Sequence, residues 1–136
     1  MADASTPPPP ALTYLCNINL EAAPPVIVGA TALGQRRVVT ITGGTFAGPK
    51  LNGKVNGGTI WSVTSESGVS NVDAVYTMQT DDGASIMVTE KAHVPNVLLT
   101  FETASTEYAW LNKITAYASG APSKGKSTLI TWQVGV

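Results

Sequence analysis

The first candidate for chemistry is Asp73. It lies in the run Asn71-Val-Asp-Ala-Val-Tyr-Thr-Met-Gln-Thr80 and alternates there with apolar neighbours. A carboxyl carried on an inward-facing strand is partly desolvated. Desolvation raises its pKa and can poise it as a general acid or base. The competing role is a solvated side chain, or one that bonds a nearby backbone amide. His93 is the only histidine and stands beside Pro95 in a connecting segment. Its side chain alone has an unperturbed pKa near neutrality. At a cavity mouth it would serve as a general base; elsewhere it is an incidental surface residue. Tyr108, Trp110 and Asn112 fall on one face if their segment is extended, so two rings and an amide could stack on and orient an unsaturated ligand. The alternative is a core-filling Trp110 and an Asn112 that bonds backbone. Trp61 and Phe46 are expected in the core or lumen wall. Tyr76 lies on an oily strand face with a hydroxyl to offer, and Glu102, alternating with Leu98 and Thr100, is placed to reach the same cavity. The adjacent carboxylates Asp81 and Asp82 are better explained by turn geometry.

Other chemistries lack their residues. One histidine, one cysteine and scattered carboxylates give no metal-ligand spacing. Gly43-Gly44 is followed by neither a P-loop Lys-Ser/Thr nor a dinucleotide fingerprint. No serine stands in a nucleophile-elbow pattern. A net charge of −1 with no basic stripe argues against nucleic acid. No apolar run reaches a membrane span, and no leader-like start precedes the first strand, so a cytoplasmic, membrane-free protein is the expectation. Cys16 is the single cysteine and sits in an apolar run, which suits a buried inert thiol.

The elements that must position these residues read as strands. Asp82-Gly83 favours a two-residue type I′ turn, which pairs Asp81 with Ala84, Gln79 with Ile86 and Thr77 with Val88. On the first arm Val72, Ala74, Tyr76, Met78 and Thr80 then share one face, and Asp73, Val75, Thr77 and Gln79 the other. Further strands are expected over Leu12–Leu20, Val26–Val28, Arg36–Thr42, Leu51–Val55, Thr59–Val63, Val97–Thr103, Tyr108–Tyr117 and Ser127–Val134. Gly43-Gly44 implies a bulge or sharp bend, and Asn56-Gly57-Gly58 a turn. Residues 1–11, with Pro7-Pro8-Pro9-Pro10, read as a disordered lead-in; residues 12–136 form one domain. With 13 glycines, 9 prolines and 12% charged residues, the chain suits a turn-rich all-β fold with little helix. So many strands in so short a chain favour a closed or nearly closed antiparallel barrel, with a two-sheet sandwich as the alternative.

Several segments together are familiar: Gly43-Gly44-Thr45-Phe46-x-Gly48-Pro49-x-Leu51-x-Gly53-x-Val55, Gly57-Gly58-x-x-Trp61, Asp73-x-x-Tyr76-Thr77-x-x-Thr80-Asp81-Asp82-Gly83-Ala84, Phe101-Glu102-Thr103 and Tyr108-x-Trp110-Leu111-Asn112. In combination they resemble the domain-of-unknown-function 3237 family, over about Leu12 to Val134. The resemblance implies a small calycin-like, lipocalin-like barrel and, from some fungal relatives, a place among secondary-metabolite enzymes. The chain departs from the family pattern at Ile60, where many members are acidic, and at Val75, where many are basic.

The expected function is a cofactor-independent enzyme of the isomerase or cyclase type. It would bind a hydrophobic oxygenated small molecule in the barrel lumen, with Asp73 moving a proton and His93 or Tyr108 assisting. The alternatives are a carrier without chemistry and a structural homodimeric module. A homodimer is expected in either case, because 12% charged residues is sparse for a fully solvated surface. Light scattering should then return twice the 14.1 kDa chain mass.

Overall fold

Alternation of apolar and polar residues makes almost the whole chain extended. The computed structural model describes residues 5–120 and 125–135. Its strands are β1 (Leu12–Ala22), β2 (Val26–Thr31), β3 (Gly34–Ala47), β4 (Asn52–Thr64), β5 (Ser70–Thr80), β6 (Ser85–His93), β7 (Asn96–Glu102), β8 (Thr115–Ser119) and β9 (Lys126–Val134). All pairings are antiparallel, in the order β1-β9-β8-β7-β6-β5-β4-β3, and a further β1–β3 ladder closes these eight strands into a barrel. β2 pairs only with β3 and projects beyond the ring, with Val26, Ile27 and Val28 exposed on it. Of the N-terminal lead-in, residues 5–11 are exposed and outside any strand; residues 1–4 lie outside the described part, as do residues 121–124 of the last loop.

The inward positions carry the core: Cys16, Ile18, Phe46, Leu51, Tyr76, Met78, Ile86, Val88, Leu99 and Leu111 are all fully buried. One end of the barrel is plugged. A short 3-10 helix, Ala109–Lys113, drives Leu111 into that end. Asn112 holds the helix in place: the Thr103 amide donates to its Oδ1 at 2.8 Å, and its Nδ2 donates to the Thr103 carbonyl at 2.9 Å.

Three expectations are corrected. First, Tyr108–Tyr117 is not one strand. Its first half forms the plug helix and only Thr115–Ser119 is extended, so Tyr108, Trp110 and Asn112 do not share a strand face. Burying Leu111 and saturating the Thr103 backbone outweigh the β-propensity of the aromatic residues there. Second, Asn56-Gly57-Gly58 is no turn. β4 runs straight through it, and the β4–β5 register slips between Val55 and Gly57, which is a bulge. Third, the central hairpin has a three-residue loop. The Gly83 amide donates to the Thr80 carbonyl, the Thr80 amide donates to the Ala84 carbonyl, and Gly83 takes φ +95°. Ala84 N–H donates to the Thr80 hydroxyl, which in turn donates to the Asp82 carboxylate. This is a tight turn followed by a left-handed glycine. Tyr76 consequently pairs with Val88 and Ala74 with Glu90, one residue away from the register of a two-residue loop.

Candidate active site

At the end opposite the plug the barrel is open. A cavity of about 470 Å³ enters there, walled by Val39, Ile60, Val72, Val97 and Leu129. Its charged lining residues are Glu90, from β6, and Arg37, from β3. Glu90 is 7% exposed and is the only carboxylate among the described residues that is buried. Beneath it lies Tyr76, whose hydroxyl donates to Glu90 Oε2. Cys16 is fully buried close to Tyr76.

The electrostatics follow from this burial. Taking the Glu90 carboxyl out of water pushes its pKa up to about 7; the Tyr76 hydrogen bond pulls the other way and only partly offsets this. At neutral pH both protonation states of Glu90 are therefore populated, the condition for a group that must give and take a proton. Tyr76 is pushed well above the ordinary phenol range by burial, then by the Glu90 charge and hydrogen bond, so it remains a phenol and a donor. Burial pushes the Cys16 thiol up to about 12, so it stays neutral and inert.

Removing the phenol hydroxyl isolates its effect on Glu90. Tyr76→Phe withdraws the one hydrogen bond that lowers the Glu90 pKa. The titration of Glu90, followed by carboxyl-selective NMR, should move upward from its wild-type midpoint. An unchanged or lowered midpoint would mean that Tyr76 does not bond the carboxylate.

The residues expected from the sequence are dispersed. Asp73 faces outward, not into the barrel. It sits between Trp61 and Lys91 in the ladders, and its carboxylate, 55% exposed, pairs with Lys91 Nζ at 3.4 Å. The cause is strand parity: Ala74 and Tyr76 point inward, so Asp73 cannot. Trp61 shares that outer face and is 38% exposed, which removes it from the core. Glu102 also points outward with Leu98 and Thr100, because Val97, Leu99 and Phe101 hold the inner positions of β7. His93 is exposed and lines, with Asp73 and Lys91, a shallow groove on the outer wall, next to the Tyr117 hydroxyl that donates to Asn96 Oδ1 at 2.6 Å. Tyr108 lies at the plugged end and its hydroxyl donates to the Asp82 carboxylate at 3.1 Å. Trp110 is half-buried there, under Lys50 Nζ at 5.8 Å. Phe46 is core, and Tyr76 alone of the expected set reaches the inner site.

Asp82 and Glu107 adjoin one another at that plugged end. The Thr80 hydroxyl lowers the Asp82 pKa, while its hydrogen bond with Asp82 raises that of Glu107. Both carboxyls are open to water, and the cluster fixes the turn against the plug helix.

Glu90 is the residue that sequence reasoning passed over. The signal was present in the hairpin. With a two-residue loop Glu90 pairs with Val75 and belongs to the outer face. With the observed three-residue loop it pairs with Ala74 and belongs inside. A one-residue slip exchanges every side chain between faces.

Known proteins share this architecture. The chain is 39% identical over 130 residues to the "Hydroalkoxylation enzyme phnH" of Penicillium herquei, spanning 96% of this chain and 87% of that protein. A crystal structure of an enzyme from Penicillium herquei superposes with a TM-score of 0.86 at 38% identity, over 96% of this chain and 98% of that one. A β-barrel-like protein from Acinetobacter baumannii AYE superposes at 0.88 with 28% identity, over 96% and 99%. The family model described as protein of unknown function (DUF3237) matches residues 10–96, more than half of the chain, and the protein belongs to that family.

Proposed function

We propose that this protein is an enzyme that adds a hydroxyl across a carbon–carbon double bond within one small molecule, closing a cyclic ether. Such a reaction is a cyclisation and an isomerisation at once, since no atom is gained or lost. One observation carries the reading: a carboxyl poised between its two protonation states stands at the base of an apolar, one-ended cavity. The relative from Penicillium herquei, named a hydroalkoxylation enzyme, supports the reaction class.

The chemistry balances on Glu90 alone. The neutral carboxyl gives its proton to one alkene carbon, and the π pair becomes the new C–H bond. The neighbouring carbon accepts a lone pair from the substrate hydroxyl, which forms the C–O bond. The hydroxyl proton then passes to the Glu90 carboxylate and restores the acid. The addition is redox-neutral and consumes no co-reactant. Tyr76 supports both states, because its hydroxyl donates to Glu90 whichever is present. The apolar wall keeps water from competing with the internal hydroxyl for the electron-poor carbon, and confinement brings the two reacting ends together.

The test is incubation with 2-prenylphenol-type substrates in deuterium oxide. The expected product has one solvent deuterium on carbon and a new cyclic ether, and forms faster below pH 7 than above it, as the acid form of Glu90 is lost. Wild-type rates from Glu90→Gln, or products without carbon-bound deuterium, would refute the role of this carboxyl.

A further inference from the structure

The mouth of the cavity carries a cation that the proton-transfer chemistry does not use. Arg37 alternates with Val39 and Ile41, which places it on the inner face of β3, and it lines the cavity near its entrance. Among the described residues its guanidinium has no carboxylate partner; the one ion pair there joins Lys91 to Asp73 on the outer wall. No other basic side chain and no second acidic one lines the cavity. Arg37 is exposed at the rim, where its guanidinium is hydrated. An uncharged oily ligand seated over it would strip that water and return nothing, whereas an oxyanion would replace it.

Register places this cation relative to Glu90. Arg37 pairs with Ser62, Ser62 with Val72, and Val72 with Ala92. Arg37 therefore stands at the level of Ala92, one inward position nearer the mouth than Glu90, a rise of about 7 Å along the strand. It also stands three strands round a ring of eight, close to the far wall. A ligand that touches both groups spans the cavity obliquely, on the order of 10 Å.

We propose that Arg37 is a specificity residue that selects substrates bearing a delocalised oxyanion, a carboxylate or an acidic phenol, at the end remote from the reacting alkene. This rests on the cyclisation reading and names its substrate class. A planar guanidinium matches such groups with paired N–H donors. With Glu90 largely neutral below pH 7, the cavity holds a net positive charge that an anionic substrate would balance. The apolar wall between the two charges would hold the substrate's ring or chain. The ether-forming end then reaches Glu90 only when the oxyanion is seated at Arg37.

The probes are 2-naphthoate, methyl 2-naphthoate and 4-nitrophenol, titrated at pH 6 by calorimetry and, for nitrophenol, by its phenolate absorbance. Wild type should bind 2-naphthoate about five- to tenfold more tightly than the uncharged ester, or deepen the phenolate band of nitrophenol. The first result identifies a carboxylate and the second a phenolate; either supports the assignment. Arg37→Gln should abolish the preference and Arg37→Lys should retain part of it. Glu90→Gln should keep the preference while losing cyclisation. Equal affinity of wild type for acid and ester without a phenolate response, no binding of any probe, or an unchanged preference in Arg37→Gln overturns the role of Arg37. None of these outcomes touches the case for Glu90, which is decided by turnover.

Discussion

Glu90→Gln is expected to lower cyclisation by about 10²- to 10⁴-fold while leaving the barrel folded, the range over which positioned acids and bases act. Glutamine matches the carboxyl in shape and its Oε1 still accepts the Tyr76 hydroxyl, but it has no proton to transfer. The same substitution should also change how stability depends on pH. The folded pKa of Glu90, about 7, lies above its unfolded value of 4.5. The native state therefore binds this proton more tightly than the unfolded chain does. Its contribution is complete below about 4.5 and disappears as pH rises through about 7. A shift of that size corresponds to about 3 kcal/mol, which ionisation of the buried group removes by pH 8. Urea titrations of both proteins should thus agree within about 1 kcal/mol at pH 4 and diverge by about 3 kcal/mol at pH 8, with the glutamine variant the more stable. A catalytic loss without that divergence would mean that Glu90 is not desolvated. Divergence without catalytic loss would make it a buried acid of no chemical consequence.

The wall was legible in the sequence more readily than the site it encloses. Alternation along Leu12–Leu20, Asn71–Thr80 and Val97–Thr103 reports which faces are apolar, and those strands form as expected. The barrel follows, because so many strands in one short domain need closure to remove their edges. Alternation says less about where a cavity lies, since that depends on which end is plugged. The plug comes from Leu111 and from Asn112, whose amide finds the Thr103 backbone nine residues earlier. No local pattern in Tyr-Ala-Trp-Leu-Asn announces that contact. The position of Glu90 was in principle readable, and it hung on one residue of loop length. Asp82-Gly83 fits a two-residue turn well, but Thr80 offers a hydroxyl to the Ala84 amide and a carbonyl to Gly83 N–H, and the longer loop wins. Asp73 then remains outside with Lys91, and the acid inside is the one seven residues beyond the turn glycine.

Gly44→Ala should severely destabilise the barrel at the seam that closes it. β3 serves two neighbours there: Gly44 pairs with Leu20 across the seam that closes the barrel and with Val55 on its other side. The expected bend at Gly43-Gly44 appears as a register slip in the seam, between Glu21 and Ala22. Two penalties coincide at Gly44. Its φ is +144°, where side chains with a Cβ rarely go, and that Cβ would lie 1.9 Å from the Asn19 carbonyl oxygen. The obstacle is backbone of the paired strand, not the end of a flexible side chain, so relief requires the seam to open. Separating β1 from β3 would break ladder hydrogen bonds and expose two edges that the closed barrel hides. The cost is on the order of 3–5 kcal/mol, a large share of the 5–15 kcal/mol available to a domain of this size. Gly68→Ala is the matched control. Its φ of +87° is also left-handed, but no atom lies within 4 Å of the added methyl, so only the backbone strain of about 1 kcal/mol applies. Urea midpoints should therefore fall slightly for Gly68→Ala and collapse for Gly44→Ala, with aggregation of the opened barrel. Equal small shifts in the two variants would mean that the β1–β3 seam yields freely, and a seam that yields could not keep water from Glu90.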